Sequence, residues 1–338
     1  MIQPKNFQTI GITTTVPSEI LIAAGSMPVD LNNIFIASTD RERLVNIAER
    51  AGFPQNCCTW IKGIYSVCME HDIQTVLCVT SGDCSNTVML MEVLKLKGLD
   101  VIPFSYPAQP NRALMRKALG DLAQNLGTTL EEAEKVREKL SKIRDLLRKL
   151  DELTWAQNKV SGFENHIWLV TSSDFNGDIG EYEKGLSKIP LEVENREPYP
   201  NDYLRLAYIG VPPVFADEFY PFIERNDARV VFNEVQRQFS MPNNSDSLIE
   251  QYSNYTYPYS ISGRVKDIVP QLEKRHIDGV IHYVQAFCHR GIGDMIFRDR
   301  INVPILTLEG NVDFMLNNHL KTRIEAFIDM IKRSKHKK

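Results

Sequence analysis

The stretch IQTVLCVTSGDCSNTVMLMEVLKLKGLDVIPF (73–104) decides the fold class. IQTVLCV (73–79) is a short run rich in β-branched and apolar residues, residues 86–97 carry a helical pattern, and LDVIPF (99–104) is a second strand-like run. Strand, helix and strand in such close succession form the unit of a parallel sheet wrapped by helices. The alternation extends in both directions. Upstream, NIFIA (33–37) reads as a strand and is followed by helices near 40–51 and 59–71. From about 112 to 160 the pattern turns to long helix, with NRALMRKALGDLAQNL and then TTLEEAEKV, where Thr128 or Thr129 can cap and the glutamates behind them suit a first turn. GFENHIWLVTSSDFNGD (162–178) reads as a helix ending in a polar loop, and REPYPNDY (196–203) as a proline-bearing linker. Beyond it, strands are expected at LRLAYIGVPP (204–213), ARVVFNE (228–234), DGVIHYVQ (278–285) and VPILTLEG (303–310), with helices at VKDIVPQLEKRHI and NNHLKTRIEAFIDMIKR. The expected architecture is α/β: two Rossmann-like or flavodoxin-like parallel-sheet domains with a helical connector, at residues 1–111, 112–200 and 201–338. No solenoid-scale repeat is present, and the two α/β halves are expected to be similar folds.

Composition excludes several functions. A chain of 338 residues at ordinary composition has room for layered domains with real cores and is no small disulfide scaffold. The net charge is -4, and Lys and Arg are dispersed except in KRSKHKK (332–338), read as a solvated end, so the footprint of a nucleic-acid binder is missing. MIQPKNFQTIGITTT lacks the apolar region of a secretory signal, and no apolar run reaches the ~18 residues of a membrane span. The expected location is the cytoplasm, where thiols stay reduced and clustered cysteines point to metal binding or catalysis.

Five of the six cysteines fall between 57 and 84. Cys58 stands just ahead of the helix from Thr59, Cys84 lies between the strand at 73–79 and the helix from Asn86, and Cys288 follows the strand at 278–285. These three occupy the carboxyl edge of a parallel sheet, where open α/β folds bind ligands, and lie near helix N-termini, which favour a thiolate. Cys68 is ten residues further along the helix from Cys58, roughly 15 Å away, and Cys78 is inside a strand; both read as core thiols. Cys57 stays ambiguous. Three thiolates suit iron and sulfur or zinc; the C-x-x-C pairs of a structural zinc site are absent, and single cysteines at sheet edges suit an iron–sulfur cluster.

At these residues the sequence resembles the 2-hydroxyacyl-CoA dehydratase and benzoyl-CoA reductase family. TTTVPSEILIAAGSMPV (13–29) is similar to the family's Pro-x-Glu segment, with Glu19 as the glutamate; FPQNCCTWIKG resembles the first cluster-cysteine segment, its Pro54-x-x-x-Cys spacing selecting Cys58; VTSGDCSN gives Cys84; IDGVIHYVQAFCHR gives Cys288; and VPILTLEGN with KTRIEAFIDMI matches the closing strand and helix. The resemblance implies a [4Fe–4S] cluster on Cys58, Cys84 and Cys288, and an activator protein that uses ATP hydrolysis to deliver a low-potential electron. It further implies ketyl-radical dehydration or reduction of an acyl-CoA thioester under anaerobic conditions, by a homodimer or a heterodimer with a paralogous subunit. Glu19 is the implied catalytic proton handler. The family also holds members with a double-cubane [8Fe–9S] cluster that reduce small molecules; that cluster would take about six thiolates, as many cysteines as the chain has, although the separation of Cys58 and Cys68 argues against it. A non-catalytic electron-transfer subunit is a further alternative. The sequence departs from the pattern where Asp83 precedes the cysteine and where Glu309 or Gly310 replaces the common Asp.

Weaker constellations remain. His282, His289 and Asp278 are expected to cluster around Cys288, with His289 a hydrogen-bond donor to cluster sulfur. Gly291 and Gly293 lack the remaining residues of a phosphate loop and read as close packing. Tyr252, Tyr255, Tyr257 and Tyr259 read as ordinary loop packing.

Overall fold

The computed structural model describes residues 8–310 and 314–335. It divides into two compact units, one of residues up to Leu146 with Thr171–Leu186 and Gln238–Ser260, the other of Leu147–Val170, Ser187–Arg237 and the chain from Ile261 onward. Each unit carries a four-stranded, all-parallel sheet surrounded by helices, the expected α/β architecture.

In the first unit β1 (Gln8–Ile12), β2 (Ser26–Asp30), β3 (Thr75–Ser81) and β4 (Asp100–Ser105) are ordered β2-β1-β3-β4. Val76, Leu77, Cys78 and Val79 of β3 are all fully buried, as an inner strand covered by helices on both faces must be. Pro28 and Pro103 fall on β2 and β4, the two edge strands, where a missing N–H costs no ladder bond. NIFIA is no strand: Leu31–Ala37 is a helix capped by Asp30, whose carboxylate accepts from Asn32 N at 3.0 Å. A five-residue apolar run cannot by itself separate strand from buried helix; the buried pair Leu31 and Phe35, one helical turn apart, and the cap decide it. At the helix Leu130–Trp155, Thr129 Oγ1 accepts from Glu132 N at 3.1 Å while Glu132 accepts from Thr129 N at 3.2 Å, a reciprocal capping box.

In the second unit β5 (Leu204–Gly210), β6 (Ala228–Asn233), β7 (Gly279–Gln285) and β8 (Ile305–Gly310) are ordered β6-β5-β7-β8, the same topology. Its core gathers Ala207, Ile209, Val231, Phe232, Val280 and Phe297. Two buried ion pairs join its layers: Arg275 to Asp151 at 2.9 and 2.5 Å, and Arg264 to Glu234 at 2.8 and 2.6 Å. Among the described residues no helix is long and apolar enough to cross a membrane.

Candidate functional site

In an open parallel sheet a crevice forms beyond the strand ends where the strand order reverses. In the first unit that point lies between β1 and β3, whose ends are tied together by Val79 N donating to Thr13 Oγ1 at 3.0 Å and Thr13 N to Leu77 O at 3.3 Å. The turn after β3 carries Cys84 three residues beyond Ser81. The helix Thr59–Glu70 leads back into β3, so its first turn stands at this same edge, and Cys58 is its N-cap residue, buried and making no side-chain capping bond. One turn further in, Lys62 is wholly buried, its ammonium held by Glu49 at 2.6 Å and by Gln55 O at 3.0 Å.

The Cys84 turn is held from outside. Gly82 has φ +100, and a Cβ there would stand 2.7 Å from Pro258 Cβ, so both the backbone conformation and the close approach require glycine. Tyr257 Oη donates to Asp83 Oδ1 at 2.5 Å. The tyrosine-rich segment thus packs as the sequence suggests, with Tyr252, Tyr255, Tyr257 and Tyr259 all buried, and it also fixes the cysteine turn.

Glu19 is fully buried behind this edge. Its carboxylate accepts from Arg144 Nη2, from Gln251 Nε2 at 2.8 Å and from Tyr252 Oη at 2.6 Å. Burial alone would raise its pKa, but the Arg144 charge and the bonds from Tyr252 and Gln251 outweigh it and hold Glu19 below the usual carboxylate value. An acid so fully engaged is a junction between three helices, Ser18–Ala23, Leu130–Trp155 and Leu248–Ser253.

The second unit repeats the turn. An offset of 204 residues brings Glu70 onto Lys274, Ser81 onto Gln285 and Cys84 onto Cys288. Both cysteine carbonyls accept from the residue three further on, Thr87 N and Gly291 N, each at 3.1 Å. Phe287, next to Cys288, has φ +66 and is 61% exposed, an uncommon backbone state for an aromatic residue. The expected cluster around Cys288 does not form. Asp278 stands at the opposite end of β7, accepting from Arg205 N at 2.8 Å, and His282 is buried in mid-strand with Nδ1 2.7 Å from Asp294. The physical reason is strand geometry: β7 puts some seven residues, roughly 20 Å, between Asp278 and the turn. His289 follows Cys288 at the start of a short 3-10 turn, His289–Gly293. A Cβ at Gly293 would stand 2.9 Å from Ile261, which accounts for that glycine by packing.

None of the six cysteines is in a disulfide. Cys68 and Cys78 are buried, and burial pushes each thiol up to about 12. Cys57 is half-buried, its thiol raised by burial against the opposing charge of Lys62. Among the described residues, no three or more His, Cys, Asp or Glu side chains form a group able to hold a metal ion.

The first cysteine pair has a feature that the sequence does not disclose. Among the described residues, Thr59 Oγ1, Trp60 Nε1 and Thr87 Oγ1 are buried without a hydrogen-bond partner. Buried donors are nearly always paired, and these lie on the first turns of the two helices behind Cys58 and Cys84, helices that pack on one another. Thiols at the N-terminal ends of two packed helices are a donor set that would suit a thiolate-bound group.

No curated protein matches the chain in a sequence search. The family model for 2-hydroxyglutaryl-CoA dehydratase, D-component, matches residues 13–331, nearly the full length and all of the segments built above. With its two parallel sheets and their cysteine turns, this chain belongs to the 2-hydroxyglutaryl-CoA dehydratase D-component family.

Proposed function

We propose that the chain is an iron–sulfur lyase component of the 2-hydroxyacyl-CoA dehydratase type, with Cys58, Cys84 and Cys288 as ligands of a [4Fe–4S] cluster. The observation that carries this reading is the repeated turn: Cys84 and Cys288 hold equivalent positions after β3 and β7, at the strand-order reversal where such sheets bind ligands. Cys58 joins Cys84 at the same edge of the first sheet.

When bound, a cube on three thiolates supplies one-electron chemistry and an iron with an open position for an acyl-CoA substrate oxygen. The chain's own residues do the rest. The N-terminus of the Thr59–Glu70 helix favours the thiolate of Cys58. The Tyr257–Asp83 bond and the contact of Pro258 with Gly82 fix the turn bearing Cys84. Glu19, held as a carboxylate by Arg144, anchors the segment after β1; this supports a positioning role rather than proton transfer. The partners that follow from the reading are an ATP-dependent activator, an acyl-CoA thioester and a second subunit, identical or paralogous, in a reducing cytoplasm. The eight-iron alternative would enlist Cys68 and Cys78, and their positions weigh against it: Cys68 lies near the far end of the helix that Cys58 caps, and Cys78 lies inside β3 rather than on the turn beyond it.

The test is anaerobic purification with iron and sulfide counts. About four irons per chain, lost in Cys58→Ala, Cys84→Ala and Cys288→Ala, supports the single cube. About eight irons, sensitive also to Cys57, Cys68 and Cys78, would replace it with the double cubane, and a colourless zinc protein would overturn both. Turnover of acyl-CoA substrates on adding activator, ATP and reductant separates an enzyme from an electron carrier.

A further inference from the structure

We infer that Asp30 and Asp174 form a pH-sensitive latch, closed while the pair keeps a proton and opened when both carboxyls are ionised, that holds residues 171–177 against the end of β2. Asp30 is the last residue of β2, at the carboxyl edge of the first sheet, and both side chains are buried. Asp174 Oδ2 accepts from Asp30 N at 2.8 Å, and its Oδ1 accepts from Asn176 N at 3.1 Å and from Asn33 Nδ2 at 3.4 Å. Asp30 Oδ1 accepts from Asn32 N at 3.0 Å and from Asn32 Nδ2 at 2.8 Å, and Asn33 Nδ2 also donates to Ser173 Oγ at 3.3 Å. The two carboxyls therefore share one small polar cluster that joins the turn to β2 and to the helix Leu31–Ala37.

The surroundings bring no cation to this cluster. Besides burial, the strongest influences on the pair are Ser173, Asn32, Asn33 and Asn176, all uncharged, and the charge of Asp30 on Asp174. β2 and the helix Leu31–Ala37 carry no charged residue other than Asp30. From the helix Ile179–Leu186, Tyr182 faces Asp174 with a phenol that burial keeps neutral; Arg144, which acts on Tyr182, is bonded to Glu19. The charged residues of that helix are paired elsewhere, Glu181 with Lys184 and Glu183 with Lys142. Two carboxyls in one buried site ionise together only against burial and mutual repulsion, which push Asp174 up to about 7 and raise Asp30 as well. The turn they hold is itself under tension. Phe175, Asn176 and Gly177 have φ +54, +52 and +74, three successive residues in the left-handed region that only glycine adopts freely. Such a backbone persists where its surroundings over-determine it. Here Asp174 caps the turn, and the wholly buried Phe175 packs edge-on against Tyr182 with ring centroids 5.6 Å apart. Both folded values are raised, so the latch is complete below the unfolded carboxylate pKa and is lost as pH rises through the folded values.

The test is amide hydrogen exchange on the full chain, as wild type, Asp30→Asn and Asp174→Asn, at about pH 6 and about pH 8.5, corrected for the intrinsic pH dependence of exchange. The reporters are the amides of residues 30 and 176, both of which donate to Asp174, and the reference is the set of amides of β3. An opening that releases a proton becomes tenfold more favourable for each pH unit above the folded pKa. The expected result is a fall of about tenfold in the protection of residues 30 and 176 of the wild type between the two pH values, with β3 unchanged. Each asparagine variant removes one charge and keeps an acceptor oxygen, so the fall should vanish in both; either one suffices should the other fail to fold. Equal wild-type protection at the two pH values overturns the inference. So does a fall of the same size in a folded asparagine variant, or one that reaches β3 equally, which would mean that the whole unit opens and not the turn.

Discussion

Replacing Cys68 or Cys78 by alanine separates the ligand thiols from the core thiols. Both side chains are buried, and burial pushes each thiol to about 12 against an ordinary value of 9.0, with the neighbouring Cys78 adding to the effect at Cys68. Burial disfavours the charged form, so in the metal-free chain both are neutral core thiols. As core groups they contribute by packing, and removing one buried sulfur should cost roughly 1–2 kcal/mol, a little more than one buried methylene because a small cavity remains. That corresponds to a thermal midpoint lower by a few degrees for a unit of this size. Cys84→Ala should show the opposite signature, iron lost and metal-free stability almost unchanged, because Cys84 is only partly buried. Anaerobic iron and sulfide counts beside thermal melts of the metal-free variants read both quantities. Iron per chain that falls in Cys68→Ala or Cys78→Ala would refute the assignment of these thiols to the core.

Removing either charge of the buried Glu19–Arg144 pair leaves the other uncompensated, so Arg144→Met and Glu19→Gln should each cost about 3–5 kcal/mol; urea melts in which both variants keep wild-type stability would contradict the network. Since Glu19 is held below its ordinary value, its contribution is present above the unfolded carboxylate pKa and disappears as pH falls through the folded one. The buried pair Asp30 and Asp174 has the opposite sign. Burial raises both, and Asp30 further raises Asp174, so their contribution is complete below the unfolded carboxylate pKa and is lost as pH rises through the raised folded values. Asp30→Asn keeps the helix cap and removes one charge, so it should stabilise the chain at pH 8 by about 1–2 kcal/mol and leave it unchanged near pH 4; equal effects at the two pH values would count against the pair. Tyr257→Phe removes the bond to Asp83 and should cost about 1–2 kcal/mol while speeding alkylation of Cys84 in the metal-free protein; unchanged labelling would show that the clamp does not hold this turn.

The amino-acid sequence determined the alternation of elements, because strands buried on both faces must be apolar runs and their connecting helices must be amphipathic. That sufficed for β3 to β8 and for the cysteines that follow β3 and β7. It did not suffice for β1 and β2: QTIGI and SMPVD are five residues each, and a glycine in one and a proline in the other weaken the strand signal. NIFIA failed for the complementary reason, since an apolar run carries no period until its neighbours show which face is buried. The sequence also placed Cys68 and Cys78 in the core, because position along a helix and within a strand is a local property.

Only the tertiary structure decided which groups surround the cysteines. Glu19 meets Arg144 and Tyr252 across more than a hundred residues of chain, and Tyr257 reaches Asp83 across 174. Asp278 and Cys288, close in sequence, are held apart by the strand between them. Thr59 and Thr87 look like ordinary helix residues until burial shows that their hydroxyls have no partner. Whether a polar atom is satisfied depends on everything packed around it, and sequence spacing carries no record of that.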